Sequence, residues 1–588
     1  MTSSSRSNAN LSDRALAVAV TTAGAVLGCL WAGAWLSSQV SGHGTPKGGL
    51  LTPLMALTSA TDPSRSWGRP MGPPVLYWGL TVIMAVALGG LALVVATKGR
   101  RRASSANADP RQLRGLASHR DVDHVAGPKA LLRRASSLRP SLNNPRELDV
   151  GHWLGRVGRI DCYCSVEDSM VLLGPPRSGK GLHFVIPMIL DAPGAVITTS
   201  TRPDNLTATL AARSRAGPVA VFDPQRLAPG IPSATRWSPI RGCENPQTAL
   251  VRAKALTAGT ASGTTDSSFW QSSAEQAVRC LLHAAALGGR SSTDLYRWSL
   301  SAVQAREAVM ILSAHMGAAL SWHQALDSIV TADQKQRDSV WAMVAIAFAA
   351  LADPRVLDAV SPDDGEAFDP ETFLRSRGTV YLLGTSTGAA ATAGLVGAFV
   401  EDVIEAARRI AAGSPAARLD PPLSLILDEA ANYPLPSLSS LMSEGGGTGI
   451  STLVVLQSLA QARAVWGEHQ AGAIWDSAIV KVILGGGSNA RDLDDLSKLI
   501  GQRQERQTST SIGPDGRTST STSDREVRVM EPSRLRTLPF GTGVLLLRSA
   551  LPIVLTLGQW VDRKDSQRLL TERADLERVI QHAHATSQ

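Results

Sequence analysis

Two long runs without charged residues mark the amino-terminal part of the chain. They cover residues 15–36 and 75–97, and each is more than 20 residues long. At a rise of about 1.5 Å per helical residue, either run can cross the roughly 30 Å hydrocarbon core of a bilayer. The pattern therefore predicts transmembrane helix 1 at 15–36 and transmembrane helix 2 at 75–97. The first run is longer than the apolar part of a usual signal peptide.

The basic residues around these runs predict their orientation. Four basic residues crowd positions 98–102, whereas the segment 37–74 holds only three. Because cytoplasmic flanks carry the excess of Lys and Arg, both termini are expected in the cytoplasm. This assigns 1–14 to a cytoplasmic N-terminal tail, 37–74 to an extracytoplasmic loop and 98–150 to a basic cytoplasmic linker. The chain is then a two-span protein of the inner or plasma membrane, with its bulk in the cytoplasm.

From about residue 151, short apolar runs alternate with helical periods. Such alternation is typical of an α/β fold with a parallel sheet covered by helices. The predicted strands lie at 170–173, 195–199, 219–223, 378–384, 423–427, 450–457, 480–485 and 543–547. The Ala-rich segment 244–352 has helical periodicity and few strand signals, which predicts an all-α insertion domain. The α/β domain then comprises 151–243 and 353–560.

Two segments at the carboxyl end stand apart from this alternation. Residues 508–523 alternate β-branched side chains around Gly513-Pro-Asp-Gly516, a pattern that predicts an exposed hairpin arm. The C-terminal tail, 561–588, is predicted to form one solvated helix.

The apolar run 170–173 ends at a glycine-rich loop. The loop fits the pattern Gly-x-x-x-x-Gly-Lys, and a helical segment follows it. In such a loop, backbone N–H groups point at phosphate oxygens, and the next helix N-terminus adds partial positive charge. The predicted nucleotide-binding residues are Gly174, Pro175, Pro176, Arg177, Ser178, Gly179, Lys180, Gly181 and Leu182. A glycine-rich turn without a ligand is the alternative interpretation.

Lys180 is the residue of this loop that composition singles out. The chain has 58 basic residues, of which nine are lysines and 49 arginines. A lysine here indicates that a compact ammonium is needed, since a guanidinium fork would not fit inside the loop. Lys180 is predicted to contact the β- and γ-phosphates of a nucleotide. Gly181 departs from the full motif, in which Ser or Thr ligates Mg²⁺.

An acidic pair follows the apolar run 423–427. NTP hydrolysis needs a divalent cation on the phosphates and a group that orients water. Asp428 is predicted to hold Mg²⁺, directly or through water, and Glu429 to polarise the attacking water. A helix-capping acidic pair is the alternative interpretation. With Lys180, these two carboxylates form the predicted catalytic set of an ATPase.

Gln457 ends the strand after this acidic pair and completes the predicted catalytic set. In a RecA-like arrangement, that position can sense the γ-phosphate; an ordinary polar strand terminus is the alternative. An arginine that would complete a neighbouring subunit's site cannot be chosen from spacing. Arg337, Arg463 and Arg491 are the candidates.

Bulk composition narrows the class of protein. With 588 residues, the chain is too long for one ordinary core and is expected to form two or three folded units. A net charge of +8 suits nucleic acid or an anionic membrane surface as a partner. The five cysteines are scattered and lack zinc-ligand spacing, so they are expected to be reduced structural thiols.

Taken together, the two spans, the loop 174–181, the all-α insertion, the acidic strand end and Val454–Ser458 resemble a TraG-type coupling protein of type IV secretion and conjugation. The resemblance covers most of 150–560. It implies a RecA-like P-loop NTPase that uses ATP and Mg²⁺ and assembles as a membrane-anchored homo-hexamer. Such a protein passes single-stranded DNA bound to a relaxase, or other secretion substrates, to components of a secretion channel. Glycine at position 181 is common in this family, and the all-α insertion is implied to recognise substrate.

Two other functions are compatible with parts of the sequence. An FtsK-like translocase of double-stranded DNA would share the ATPase core, but such proteins usually carry a C-terminal winged-helix reader, which the pattern after 560 does not predict. A docking receptor for protein secretion would bind nucleotide without useful hydrolysis. The intact set of Lys180, Asp428 and Glu429 argues against that receptor.

Overall fold

The computed structural model divides the chain into two compact units. These are Met1–Asp109 and Pro110–Gln588. The residues described are 5–49, 52–103, 109–231, 234–258, 267–363, 365–384, 389–512 and 518–586.

The first unit is built on two long helices, α1 (Ser5–Val40) and α4 (Pro74–Ala103). They approach closely, since a Cβ added to Gly33 would lie 2.1 Å from Thr81 Oγ1. Small residues permit such close contact between helices. Two short helices, α2 (Thr52–Thr58) and α3 (Ser64–Trp67), lie in the connection between them.

One described segment of this unit is long and apolar enough to cross a membrane. It is Pro74–Ala92, which overlaps the predicted span at 75–97. The other predicted span, 15–36, lies within α1, but its side chains up to residue 21 lie outside the described residues. The prediction of two spans is therefore supported at one of its two positions.

The second unit is organised by a large sheet. The described strands are β1 (Gly151–Val157), β2 (Ile160–Ser165), β3 (Met170–Leu173), β4 (Val196–Ser200), β5 (Val219–Phe222), β6 (Thr379–Leu383), β7 (Leu423–Leu427), β8 (Ile450–Leu456), β9 (Val480–Leu484), β10 (Gln502–Ile512), β11 (Thr518–Arg528), β12 (Thr542–Leu547) and β13 (Ile553–Thr556). Eleven of them form one sheet in the order β2-β1-β13-β12-β9-β3-β8-β7-β4-β6-β5. The seven strands from β9 to β5 are parallel to one another.

The remaining four strands of this sheet lie beside the seven parallel strands that bear out the predicted parallel sheet. They add to β9 in antiparallel pairs, so that the whole sheet is mixed. The physical reason is the length of the connections, because β1 and β2, like β12 and β13, are joined by short turns. A short turn reverses the chain, whereas a parallel pair needs a long crossover.

The central parallel strands are buried on both faces. Every residue of β3, β7 and β8 is buried, which explains why these strands are mostly apolar. Their polar residues are Ser424, Ser451 and Thr452. β8 lies between β3 and β7, so the strand that carries the glycine-rich loop and the strand that carries the acidic pair are separated by one neighbour. The carboxyl ends of all three meet at the same edge of the sheet.

Helices cover this sheet and form the segment predicted as an insertion. They are α5 (His119–Ala126), α6 (Pro128–Leu132), α7 (Ala135–Leu138), α8 (Glu147–Val150), α9 (Ile186–Asp191), α10 (Asp204–Ser214), α11 (Pro246–Leu256), α12 (Ser267–Leu287), α13 (Ser292–Leu300), α14 (Arg306–Ala314), α15 (Trp322–Val330), α16 (Gln334–Ala347), α17 (Pro354–Ala359), α18 (Pro370–Arg375), α19 (Ala389–Ala412), α20 (Leu438–Glu444), α21 (Leu459–Ser477), α22 (Ala490–Ile500), α23 (Pro532–Arg536) and α24 (Ser566–Thr586). Within 244–352, the described residues form helices without a strand. The exact limits of that domain stay a prediction.

The structure differs from the prediction of a linker throughout 98–150. From residue 110 onward, the segment belongs to the second unit and forms the short helices α5 to α8. Val122, Leu131 and Leu138 are buried there, and Arg139 pairs with Asp420. Arg134 and Arg139, two of the arginines that suggested a basic linker, thus pair with carboxylates far away in the sequence.

The structure also shows the predicted hairpin at 508–523 and the C-terminal tail at 561–588. β10 and β11 form the predicted hairpin, which is longer than expected because pairing begins at Gln502 and Arg528. Its predicted turn, Gly513-Pro-Asp-Gly516, lies outside the described residues. α24 confirms a helix in the tail, but Leu569 and Ile580 are buried, so the helix is docked on one side.

A buried histidine on β1 predicts acid sensitivity of the second unit. His152 is 1% exposed and its Nε2 lies 3.0 Å from Ser451 Oγ. Burial lowers its pKa to about 4, although the nearby Asp168 carboxylate opposes the shift. Between pH 6.5 and 4, His152 is therefore protonated in the unfolded chain but remains neutral in the folded chain. The free energy of unfolding falls as the pH falls through this range.

Replacing this residue by glutamine is expected to remove that part of the acid sensitivity. From pH 7 to pH 4, the wild-type free energy of unfolding should drop by about 3 kcal/mol more than that of His152→Gln. Chemical denaturation at both pH values measures the difference. Equal losses in the two proteins would show that His152 is not the responsible group.

Candidate functional site

The glycine-rich loop follows β3 at the carboxyl edge of the parallel strands. Gly174 N donates to Leu456 O of the adjacent strand at 3.0 Å. Arg177 and Gly179 adopt positive φ angles of 64° and 89°. A Cβ added to Gly174 would lie 2.5 Å from Ser178 Oγ. The loop is thus wound tightly over the end of β3, with a glycine at one of its two positions of positive φ and Arg177 at the other.

Lys180 turns back toward the start of its own loop. Its Nζ donates to Gly174 O at 2.8 Å and to Pro175 O at 2.9 Å. Burial lowers the pKa of Lys180, while the carboxylates of Asp428 and Glu429 oppose that shift. The ammonium therefore lies within electrostatic reach of both predicted acidic residues.

The chain after the loop begins with a π-helical turn over Gly181–Val185, ahead of α9. This turn places the ring of His183 against the loop, where a Cβ added to Gly179 would lie 2.6 Å from His183 Cδ2. His183 Nδ1 donates to Gly558 O at 2.8 Å, and Phe540 packs on the ring with centroids 5.1 Å apart. The predicted helical segment is present, but its first turn is wider than an α-helix.

Asp428 lies at the end of β7 in a buried, polar setting. Its Oδ2 accepts a hydrogen bond from Asn205 Nδ2 at 3.2 Å, and its carbonyl accepts one from Thr199 Oγ1 at 2.9 Å. Burial raises the pKa of Asp428 to about 6; Glu429 adds to the rise, and Asn205 and Lys180 oppose it. A cation would stabilise the ionised form of this buried carboxylate, which accepts few hydrogen bonds.

Glu429 has an unusual backbone and a firmly held side chain. Its φ and ψ are 50° and 48°, the left-handed region that costs a non-glycine residue about 1–2 kcal/mol. Oε2 accepts hydrogen bonds from Thr201 Oγ1 at 2.8 Å and from Asn432 Nδ2 at 3.1 Å. Both donors use the same oxygen, which fixes the plane of the carboxylate. Strained residues that the surroundings hold in this way cluster at active sites.

Gln457 lies at the end of β8, between the ends of β3 and β7. Its backbone N–H donates to Gln461 Oε1 at 3.3 Å. It also lines a cavity of about 370 Å³ together with Gly174, Pro175 and Pro176. Among the described hydrogen bonds, none joins Gln457 to Lys180 or the acidic pair. Its position beside the loop agrees with the predicted placement, and its role stays a prediction.

The three candidate arginines all have acidic partners. Arg463 pairs with Asp492 and Glu468, and Arg491 also pairs with Glu468. Arg337 contacts Asp338, its neighbour in sequence. These pairings give none of the three a distinguishing feature.

Sequence motifs did not assign a role to the polar side chains that hold the acidic pair. Thr199, Thr201 and Asn205 come from the end of β4 and the start of α10, and Asn432 follows the acidic pair. The spacing of these residues in the sequence does not by itself indicate contact with β7. The contacts arise because β4 pairs with β7 in parallel, which brings the two strand ends together.

One segment of the chain matches a known protein family. Residues 422–540 match the family described as the TraM recognition site of TraD and TraG. No protein of curated function matches the chain.

The fold of the chain is similar to solved structures of the coupling protein TrwB. The unbound monoclinic form of bacterial conjugative coupling protein TrwBdeltaN70 is 17% identical, with a TM-score of 0.54 over 73% of this chain and 93% of that chain. Plasmid coupling protein TrwB in complex with ADP and Mg²⁺ is 17% identical, with a TM-score of 0.52 over 73% and 94%. The complex of TrwB with the ATP analogue ADPNP has a TM-score of 0.51 at 17% identity, over 68% and 88%. The match over 422–540, in a chain that shares the mixed α/β fold of TrwB, confirms the resemblance to TraG-type coupling proteins that the sequence motifs predicted.

Proposed function

We propose that this protein is a membrane-anchored ATPase that recruits DNA or nucleoprotein and drives it into a type IV secretion or conjugation channel. The observation that carries this proposal is the meeting of Lys180, Asp428 and Glu429 at one edge of the parallel sheet. A cation for phosphates, a carboxylate for a metal ion and a second carboxylate for water are the groups that NTP hydrolysis needs.

The residues of the site fit ATP with Mg²⁺. Mg²⁺ usually keeps several waters and takes one or two carboxylates together with phosphate oxygens, so Asp428 can serve without an all-protein cage. The described residues contain no cluster of three or more His, Cys, Asp or Glu side chains that would form such a cage. TrwB, which shares the fold, has been solved with ADP and Mg²⁺ and with ADPNP.

Each predicted residue has a task in this function. The loop 174–182 holds the phosphates through its backbone N–H groups, and Lys180 supplies the cation. When bound, the metal ion neutralises phosphate charge, and Asp428 holds it. Glu429 polarises the attacking water, and Gln457 senses the γ-phosphate from the end of β8.

The remaining parts of the chain suit delivery of a macromolecule through a membrane. Pro74–Ala92 and the predicted span at 15–36 anchor the chain, and the second unit works in the cytoplasm. Six copies form a ring around single-stranded DNA that carries a relaxase, or around another secretion substrate. The family description for 422–540 names a TraM recognition site, which supports a protein partner at this segment.

DNA dependence of hydrolysis tests this function. Full-length protein in lipid nanodiscs is expected to hydrolyse ATP, and single-stranded DNA should raise the rate severalfold more than double-stranded DNA. Lys180→Ala, measured in parallel, is the blank. Better stimulation by double-stranded DNA would favour an FtsK-like translocase. No stimulation in a folded, hexameric preparation would favour a docking receptor for protein cargo.

A further inference from the structure

The glycine at position 181 leaves a gap in the predicted metal shell. In the full phosphate-loop motif, the residue after the lysine is Ser or Thr, and its hydroxyl ligates Mg²⁺. Gly181 has no side chain to do so. The space that a side chain would enter is open, because a Cβ built on Gly181 meets one atom within 4 Å, Asn205 Oδ1 at 3.9 Å.

Asn205 is held so that its amide oxygen faces this space. The residue is 3% exposed and lies in the first turn of α10. Its Nδ2 donates to Asp428 Oδ2 at 3.2 Å. An ionised carboxylate can accept hydrogen bonds but cannot donate them. The amide nitrogen of Asn205 must therefore face Asp428, and its oxygen must face Gly181. Among the described residues, none donates a hydrogen bond to Asn205 Oδ1.

A hydrogen bond joins two side chains that each carry an oxygen able to bind a metal ion. Asp428 comes from β7 and Asn205 from the segment after β4, and these strands pair directly. Carboxylate and amide oxygens are both hard ligands that suit Mg²⁺. The hydrogen bond between the two side chains orients both of them, as groups around a metal ion commonly do.

We propose that Asn205 Oδ1 supplies the metal ligand that the phosphate loop lacks at Gly181. The ligand then comes from the first turn of α10 and not from the loop, and the pair of Asn205 and Asp428 holds the nucleotide-bound divalent cation. This inference rests on the proposed function, because it concerns the cation that accompanies ATP. It also explains how a phosphate loop with glycine in this position retains a protein ligand besides Asp428.

Mn²⁺ is the probe for a direct test, since it replaces Mg²⁺ and is paramagnetic. Full-length protein in nanodiscs is saturated with ADP, and bound Mn²⁺ is quantified by electron paramagnetic resonance. Asn205→Ala should weaken Mn²⁺ binding to the ADP complex by about 10- to 100-fold. ADP binding measured in EDTA should not change. Protein labelled with ¹³C at the asparagine side-chain carbonyl should show a ¹³C coupling to Mn²⁺ that Asn205→Ala abolishes.

A second substitution provides the rescue. Gly181 is not one of the glycines with a positive φ, so its backbone conformation suits a residue with a side chain. The open space beside it can hold a serine side chain. Gly181→Ser in the Asn205→Ala background should therefore recover most of the lost Mn²⁺ affinity. Thr207→Ala is the matched control, because Thr207 is a buried polar residue of the same helix whose hydroxyl donates to Asp204 O.

The outcomes separate this inference from the function on which it rests. Wild-type protein that binds neither ADP nor Mn²⁺ with ADP would contradict the nucleotide site itself. Wild-type protein that binds both, without a ¹³C coupling and without loss of affinity in Asn205→Ala, would overturn the role of Asn205 alone. If Asn205→Ala lowers the melting temperature, the ¹³C coupling in wild-type protein still decides the question.

Discussion

Replacing Lys180 by alanine is expected to raise the dissociation constant for ATP by about 10- to 100-fold and to remove measurable hydrolysis. A hydrogen bond from a charged group contributes about 1.5–3 kcal/mol, which corresponds to this range of affinity. The substitution also removes the two hydrogen bonds from Nζ to Gly174 O and Pro175 O. Titration with a fluorescent ATP analogue measures the affinity, and phosphate release measures the turnover.

Lys180→Arg is the informative control for this prediction. It keeps the charge, but the larger guanidinium must enter a space in which the ammonium already contacts two carbonyl oxygens within 3 Å. The chain uses arginine at 49 of its 58 basic positions, so the lysine here is an exception to its own preference. Arginine is therefore expected to restore little of the affinity. Wild-type affinity in Lys180→Ala, with an unchanged melting temperature, would remove Lys180 from the nucleotide site. Wild-type affinity in Lys180→Arg would contradict the need for a compact ammonium.

The parallel centre of the sheet could be predicted because its signals are local. Each of β3, β7 and β8 is a mostly apolar run that ends in polar or glycine-rich residues, as burial on both faces favours. The antiparallel strands at the other edge depend on pairing between segments far apart in sequence, such as β1 with β13. A short strand such as β13 gives no periodicity that distinguishes it from a loop.

The folded segment from 110 to 150 shows a different limit of sequence patterns. Its helices are four to eight residues long, too short for a clear helical period. Its arginines outnumber its carboxylates locally, which predicted a basic linker. Arg134 and Arg139 instead pair with Glu167 and Asp420. Charge balance within a segment therefore does not show whether its charges are solvated or paired.

The residues of the candidate site also differ in whether local sequence motifs could predict them. Lys180, Asp428 and Glu429 belong to contiguous motifs that combine strand, loop and residue type, so the sequence could point to them. The contacts of Thr201 and Asn205 with the acidic pair depend on the pairing of β4 with β7. The spacing of these residues in the sequence does not predict that β4 pairs with β7.

Replacing Glu429 by glutamine is expected to preserve ATP binding and to lower kcat by at least about 100-fold. General-base catalysis contributes about 10²–10⁴-fold, and an amide cannot accept the proton that the carboxylate would take. The substitution can preserve the hydrogen bonds to this side chain, because Thr201 and Asn432 both donate to one oxygen of Glu429. The amide oxygen of glutamine can accept both bonds, which leaves its nitrogen in the place of the second carboxylate oxygen. Single-turnover hydrolysis and nucleotide titration separate the two effects.

Thr201→Val distinguishes the chemistry of Glu429 from its orientation. It removes one donor to Oε2 while Asn432 remains, so kcat should fall by less than in Glu429→Gln. Glutamine keeps the left-handed backbone of residue 429 at a similar energetic cost, so loss of turnover in Glu429→Gln cannot be attributed to relieved backbone strain. Undiminished turnover in Glu429→Gln would exclude this carboxylate as the base. The strained backbone and the two donors would then require another explanation, because a helix-capping role needs neither of them.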